Sequence, residues 1–389
     1  MSAALPFSLL RNPNHGTPGM VTLPEGGFRR ARTEITGWPG YAATPLHDLP
    51  ALAHQAGVAC VRIKDEAGRF GLGSFKALGG AYAVAQVLAL ELSRAGVRGP
   101  VGAAALSDGT HASTTAAVVV TCATDGNHGR SVAWGAQRFG CRCVIFVHAA
   151  VSQARIDAIA AYGAEIQVTP GTYDDAVRAA SAAAQANGWR VVSDTSWPSY
   201  MSVPVDIMQG YRLMADEALD QWQGDGPTHA FIQAGVGGVA AAVSVQLRQR
   251  CTAALIVVEP DRAACLLASA RAGRIVSVPG ALDTIMAGLA CGEPSLLAWQ
   301  ELERAASAFM AIPDEAAVQA MRLLARDAVV SGESGAAGLA GLLLAAGDGA
   351  ARAALGLGAS SRVLLFSTEG ATDAALYARL VGPAAAISH

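Results

Sequence analysis

Runs of like charge are missing from this 389-residue chain. It has 28 Lys and Arg against 31 Asp and Glu, a net charge of −3, and no basic cluster. A protein that grips a phosphate backbone needs such a cluster, so no nucleic acid is expected as a partner. Charged residues make up only 15% of the chain, hydrophobic ones 52%, and mean hydropathy is +0.33. The longest uncharged candidate for a membrane span, roughly residues 230–247, contains Gln233, Gly235, Gly237, Gly238, Ser244 and Gln246. It reads as strand, turn and helix, and no membrane is expected. A disulfide framework is missing too, because seven cysteines in a long chain do not form one. Cys141-Arg142-Cys143 is spaced too tightly for a zinc clip, no metal is expected, and Cys143 reads as core packing. Cys265 and Cys291 are left open as a pair. Met1–Arg11 has no basic segment followed by an apolar core of signal-peptide length, so the expected location is the cytoplasm.

What is present is a long alternation of helix and strand without repeats, heptads or low-complexity linkers. The length suits two domains, or one large domain with an insertion. Helices are expected at 127–139, 152–162, 173–186, 208–222 and 239–250, most of them closed by glycine. Strands are expected at 143–147, 165–169, 190–193, 229–234, 254–259 and 362–367. Strands separated by such helices form parallel sheets covered on both faces, an α/β class. Ligands bind beyond the carboxyl ends of strands in these sheets, which selects Asp194, Gly235 to Gly238, Glu259 and Ser367-Thr368.

Three stretches carry chemistry. Lys76, in Gly73-Ser74-Phe75-Lys76, sits in a turn of small residues at the expected start of a helix. A Schiff-base lysine must be unprotonated part of the time, and Leu72, Phe75 and Leu78 supply apolar surroundings. An ordinary surface lysine is the alternative, and Lys64 is a rival set among charges that would keep it protonated. Gly235-Val236-Gly237-Gly238-Val239 follows a strand, and its amides at a helix start can hold a phosphate, although a tight strand-to-helix turn looks the same. It lacks the G-x-G-x-x-G spacing of a dinucleotide site. In Thr124-Asp125-Gly126-Asn127-His128-Gly129 free amides open a helix, and Asp125 or Asn127 is either a cap or a ligand. His128 reads as structural. An early lysine and a late phosphate turn are together the two attachments that pyridoxal phosphate requires.

Ser74-Phe75-Lys76, Gly126-Asn127-His128, the glycine turn and Ser367-Thr368-Glu369-Gly370 together resemble the fold-type II pyridoxal-phosphate enzymes, the tryptophan synthase β and threonine dehydratase group, in the right order over nearly the whole chain. Within that group several stretches resemble the diaminopropionate ammonia-lyases. They include Ala123 to Arg130, Tyr173-Asp174-Asp175-Ala176, Asp194-Thr195-Ser196-Trp197, Ile207 to Tyr211 and Met286 to Pro294. The resemblance implies a lyase that converts D- and L-2,3-diaminopropionate to pyruvate and two ammonia. It implies two doubly wound domains with the active site in the cleft between them. The larger, cofactor-binding domain would comprise 1–85 and 205–389, and a smaller mobile one 86–204. A homodimer is implied as well.

By the same resemblance Lys76 carries the cofactor and removes the α-proton of the L-isomer, and Asp125 serves as base for the D-isomer. Asp194 orients the substrate amine, with Ser74, Thr124 and Gly126 beside it. Asn127 meets the cofactor's phenolic oxygen, Gly235 to Val239 its phosphate, and Ser367 or Thr368 its pyridine nitrogen. Pro198-Ser199 and Met201-Ser202 depart from the pattern and put the pocket edge in doubt. Serine or threonine dehydration on the same fold is the nearest alternative. A cofactor-binding protein without turnover and a nucleotide-binding module are the others.

Overall fold

The computed structural model describes residues 5–17 and 22–382, so part of the N-terminal reading, Met1–Ala4, lies outside the described residues. Eleven strands are found among them. In chain order the first six are β1 (Ser8–Arg11), β2 (Leu46–Asp48), β3 (Cys60–Asp65), β4 (Val119–Ala123), β5 (Arg142–His148) and β6 (Glu165–Thr169). The others are β7 (Arg190–Val191), β8 (His229–Gln233), β9 (Ala254–Pro260), β10 (Ala308–Ile312) and β11 (Arg362–Ser367). By contact the chain divides into two compact units. The first draws on Met1–Thr22, Ala43–Gly68 and Met214–His389, the second on Leu23–Ala42 and Arg69–Leu213.

The first unit holds a seven-stranded sheet in the order β1-β10-β9-β8-β11-β3-β2. Its five inner strands are parallel, and the short edge strands β1 and β2 run antiparallel to β10 and β3. Strands β8 to β11 are mostly apolar and almost wholly buried, as expected where helices cover both faces. Phe231, Val258 and Met310 from the sheet pack with Leu339 and Leu342 of the Ala337–Gly347 helix in the core. Among the described residues no single helix is long and apolar enough to cross a membrane.

The second unit holds the parallel sheet β6-β5-β4-β7. The Ala77–Arg94 helix, which begins directly after Lys76, packs along the Asn127–Phe139 helix, and glycine makes the approach possible. A Cβ on Gly135 would stand 2.7 Å from Ala81 Cα, and one on Gly80 would overlap the Ser131 hydroxyl. This packing explains why Lys76 and its helix group with β4–β7, whereas the sequence division cut the helix after residue 85 and placed Lys76 with the residues after 204. The Ser202–Gln221 helix starts before the expected Met208 because Pro204 falls in its first turn, where a missing N–H costs nothing.

Gly210 lies against the backbone of Leu78, whose carbonyl a Cβ would strike. Gly210→Ala should therefore lower unfolding free energy by about 2 kcal/mol or more, the range of overpacked cores. Gly349→Ala, with open space around it, should stay near wild type. Equal denaturation midpoints for the two variants would refute the close-packing account.

Candidate active site

Lys76 is the cap residue of the Ala77–Arg94 helix, and its Nζ donates to Asp194 Oδ2 at 2.6 Å. Asp194 follows β7, so a short strand and a helix start bring together residues far apart in sequence. The two side chains are only 20% and 16% exposed. Nζ stands 5.3 Å from the Phe75 ring centroid and 5.6 Å from that of Tyr211, and the two rings are 4.6 Å apart. The Tyr211 hydroxyl is buried beside the Lys76 amine, and burial pushes it well above the ordinary phenol range.

Leu72, Phe75 and Leu78 are buried, as expected. The expectation of a readily discharged amine is corrected. Burial alone would lower the Lys76 pKa, but the Asp194 carboxylate outweighs it and holds the amine above the ordinary lysine range. Burial likewise disfavours the Asp194 carboxylate, yet the Lys76 ammonium holds it below the ordinary range. The raised lysine gives stability below pH about 10.4 that is lost as pH climbs through the folded value; the depressed aspartate gives stability above about 3.9 that is lost as pH falls through its folded value. The pair thus contributes fully across the neutral range. His128 is kept neutral by burial, donates from Nε2 to Val192 O at 2.7 Å, and places Nδ1 3.8 Å from Asp194 Oδ2.

Asp125 lies just past β4. Neither it nor Asn127 caps the following helix: Gly126 is the cap residue and Asn127 the first helical one. Capping falls to Thr124, whose hydroxyl accepts from the Gly126 and Gly129 amides at 3.0 Å each, since the cap position itself has no side chain. Asp125 Oδ1 instead accepts from His148 Nε2 at 2.8 Å. Sequence reasoning missed both His148 and Tyr211, which become neighbours of the site only through sheet register and helix packing. Ser74 is buried beside Lys76. Lys64, the rival lysine, is fully buried and paired at 2.6 Å with Glu217, a partner remote in sequence. Its role is structural.

In the first unit the Gly235–Val239 turn joins β8 to the Gly238–Arg250 helix. Gly237 has φ +96°, a conformation that side chains avoid, and a Cβ on Gly235 would stand 2.9 Å from Cys291 Sγ. None of the amides of residues 235–239 has a backbone partner among the described residues, though Gly235, Gly237 and Gly238 are buried. Ser367 donates to Ser331 Oγ at 2.8 Å, whereas Thr368 accepts from Gln233 Nε2 at 2.6 Å and keeps its own proton to give. Glu259, selected by the strand-end rule, is committed elsewhere: its carboxylate accepts from Leu266 and Leu267 amides at 2.7 and 2.8 Å, and burial raises its pKa to about 8. Cys265 and Cys291 are free thiols near Gly235, and Cys143 is buried in β5.

Residues 38–369 match the family model described as pyridoxal-phosphate dependent enzyme. The chain belongs to that family. A diaminopropionate ammonia-lyase from Escherichia coli strain K12 is 43% identical over 363 residues, 88% of each chain. The solved structure of holo diaminopropionate ammonia lyase from Escherichia coli superposes with a TM-score of 0.89 at 38% identity over 97% of each chain. That enzyme in complex with an aminoacrylate-PLP azomethine reaction intermediate gives 0.86, also at 38% over 97% of each. The pyridoxal-phosphate family fits the residues present. Buried, unpartnered amides on a turn that rejects side chains suit a phosphate, and a lysine enclosed by aromatic rings suits an aldehyde.

Asp194→Asn removes the carboxylate and leaves burial to act on Lys76. Its amine should then titrate below the ordinary lysine range, and reductive methylation of Lys76 near neutral pH, followed by mass spectrometry, should speed up about tenfold or more. An unchanged rate would show that Asp194 does not control the amine.

Proposed function

We propose that the chain eliminates ammonia from 2,3-diaminopropionate, accepting both hands. The Cα–H and Cβ–N bonds break, ammonia leaves with the electron pair of the latter, and the enamine product takes up water to give pyruvate and a second ammonia. Pyridoxal phosphate, when bound, supplies the electron sink that lets the Cα–H bond break. The observation that carries the substrate assignment is the Lys76–Asp194 contact. At 2.6 Å, Asp194 already holds a primary ammonium in a mostly buried setting. A substrate with an ammonium on its β-carbon presents the same group, whereas serine and threonine present a neutral hydroxyl.

The roles follow from what each side chain is free to do. Lys76 carries the cofactor and, once released, takes the α-proton of the L-isomer; Asp125 takes that of the D-isomer. Asp194 orients the β-ammonium that departs. Amides of Gly235 to Val239 meet the phosphate, and Asn127 the phenolic oxygen. Thr368 serves the pyridine nitrogen better than Ser367, because its proton is uncommitted. Ser74, Thr124 and Gly126 shape the substrate carboxylate's surroundings. A homodimer belongs to the same reading and rests on family resemblance.

Purified protein should absorb in the visible, and borohydride should bleach it while fixing cofactor to Lys76. In a coupled pyruvate and ammonia assay, Asp125→Asn should lose D-isomer turnover by about a hundredfold or more while keeping the L-isomer. Serine and threonine should be poorer substrates than diaminopropionate. Intact D-isomer turnover in Asp125→Asn, or cofactor fixed on Lys64, would contradict the assignment.

A further inference from the structure

Asp125 and His148 meet because of strand register. Parallel strands β4 and β5 pair Ala123 with Phe146, so two residues further along, on the same face, Asp125 is level with His148. The Asp125 carboxylate receives the imidazole Nε2–H at 2.8 Å on Oδ1. The other ring nitrogen, Nδ1, accepts from the Ala150 amide at 3.4 Å, which leaves the proton of the neutral ring on Nε2, facing Asp125. Both side chains are mostly enclosed, at 19% and 26% exposure. On the neighbouring strand β6 the residue opposite His148 is the uncharged Thr169. Arg155 of the Gln153–Ala160 helix packs its aliphatic stem near Gly126 and brings a further charge to this turn, and Asp157 on that helix is engaged by Gln153.

We infer that His148 is a positioning residue for Asp125, holding one carboxylate oxygen so that the other faces the α-proton of the D-isomer. The inference rests on the functional reading above and adds to it a residue that selects for one hand of the substrate. A carboxylate fixed at one oxygen loses the freedom to rotate. The contact also acts on its partner: the hydrogen bond from His148 to Asp125 raises the imidazole pKa against the opposing effect of burial. Removal of L-isomer protons by Lys76 does not involve this pair, so His148 acts on one stereochemical branch alone.

The test uses the full-length holoenzyme with two variants. His148→Phe keeps a planar ring and removes the donor; His148→Gln restores a donor near the Nε2 position. For His148→Phe, kcat/KM on D-diaminopropionate should fall about tenfold or more, while the L-isomer stays within about twofold and reports intact folding. His148→Gln should recover most of the D-isomer rate. The His148 ring titration, followed by NMR, should lie higher in wild type than in Asp125→Asn. An unchanged ratio of D to L rates in His148→Phe, with wild type active on both isomers, overturns the inference alone. A His148 titration that ignores Asp125→Asn overturns it as well. Wild type inert toward both isomers overturns the functional reading and this inference with it.

Discussion

The chemistry of this chain turns on a single ion pair, Lys76 with Asp194 at 2.6 Å, formed mostly out of contact with water. Breaking a buried pair by removing one partner typically costs about 3–5 kcal/mol, because the survivor is left charged and desolvated. A pair on the surface would cost about 1 kcal/mol or less and would decide little. With this much at stake, the two groups must change charge together or exchange partners. On the proposed reading Lys76 would hold the cofactor, and Asp194 would then take up the ammonium of the substrate. Phe75 and Tyr211 enclose the amine and reduce the water that would otherwise compensate either charge.

The second acidic group, Asp125, is treated differently. It is not paired with Lys76 but held by His148, a residue type whose ring changes charge near neutrality. Two carboxylates in one sheet unit therefore have distinct environments, one paired with a lysine ammonium and one hydrogen-bonded to an imidazole. That difference supports the proposed division, ammonium binding by Asp194 and proton removal by Asp125, following the general pattern in which environment separates the tasks of similar groups. On the other unit, the glycine turn and Thr368 are prepared by orphan amides and a free hydroxyl proton.

Local signals in the sequence were enough for much of the fold. Glycines closing helices, and apolar runs between them, located β6, β11 and the Asn127–Phe139 helix at the ends the structure gives them. β4 and β10 were overlooked because periodicity alone does not separate a short apolar run from a buried helix segment. Edge strands β1 and β2 are too short to announce their antiparallel direction. Lys76 could be found from its turn, and the resemblance named Asp125 and Asp194. The charge state of Lys76 could not be read: it depends on a carboxylate 118 residues away. His148 was hidden for a like reason, since its contact with Asp125 exists only once β4 and β5 take their register. Glu259 shows the converse, a strand-end carboxylate that satisfied the ligand rule and proved to cap a helix.

The central claim is that Asp194 recognises a β-ammonium. The direct measurement is the ratio of kcat/KM for L-2,3-diaminopropionate to that for L-serine in wild type and in Asp194→Asn. If the carboxylate reads the charge, wild type prefers diaminopropionate and the ratio falls in the variant by about tenfold or more, the scale of a charged hydrogen bond. A ratio that survives Asp194→Asn unchanged, even with both rates reduced, would contradict the account.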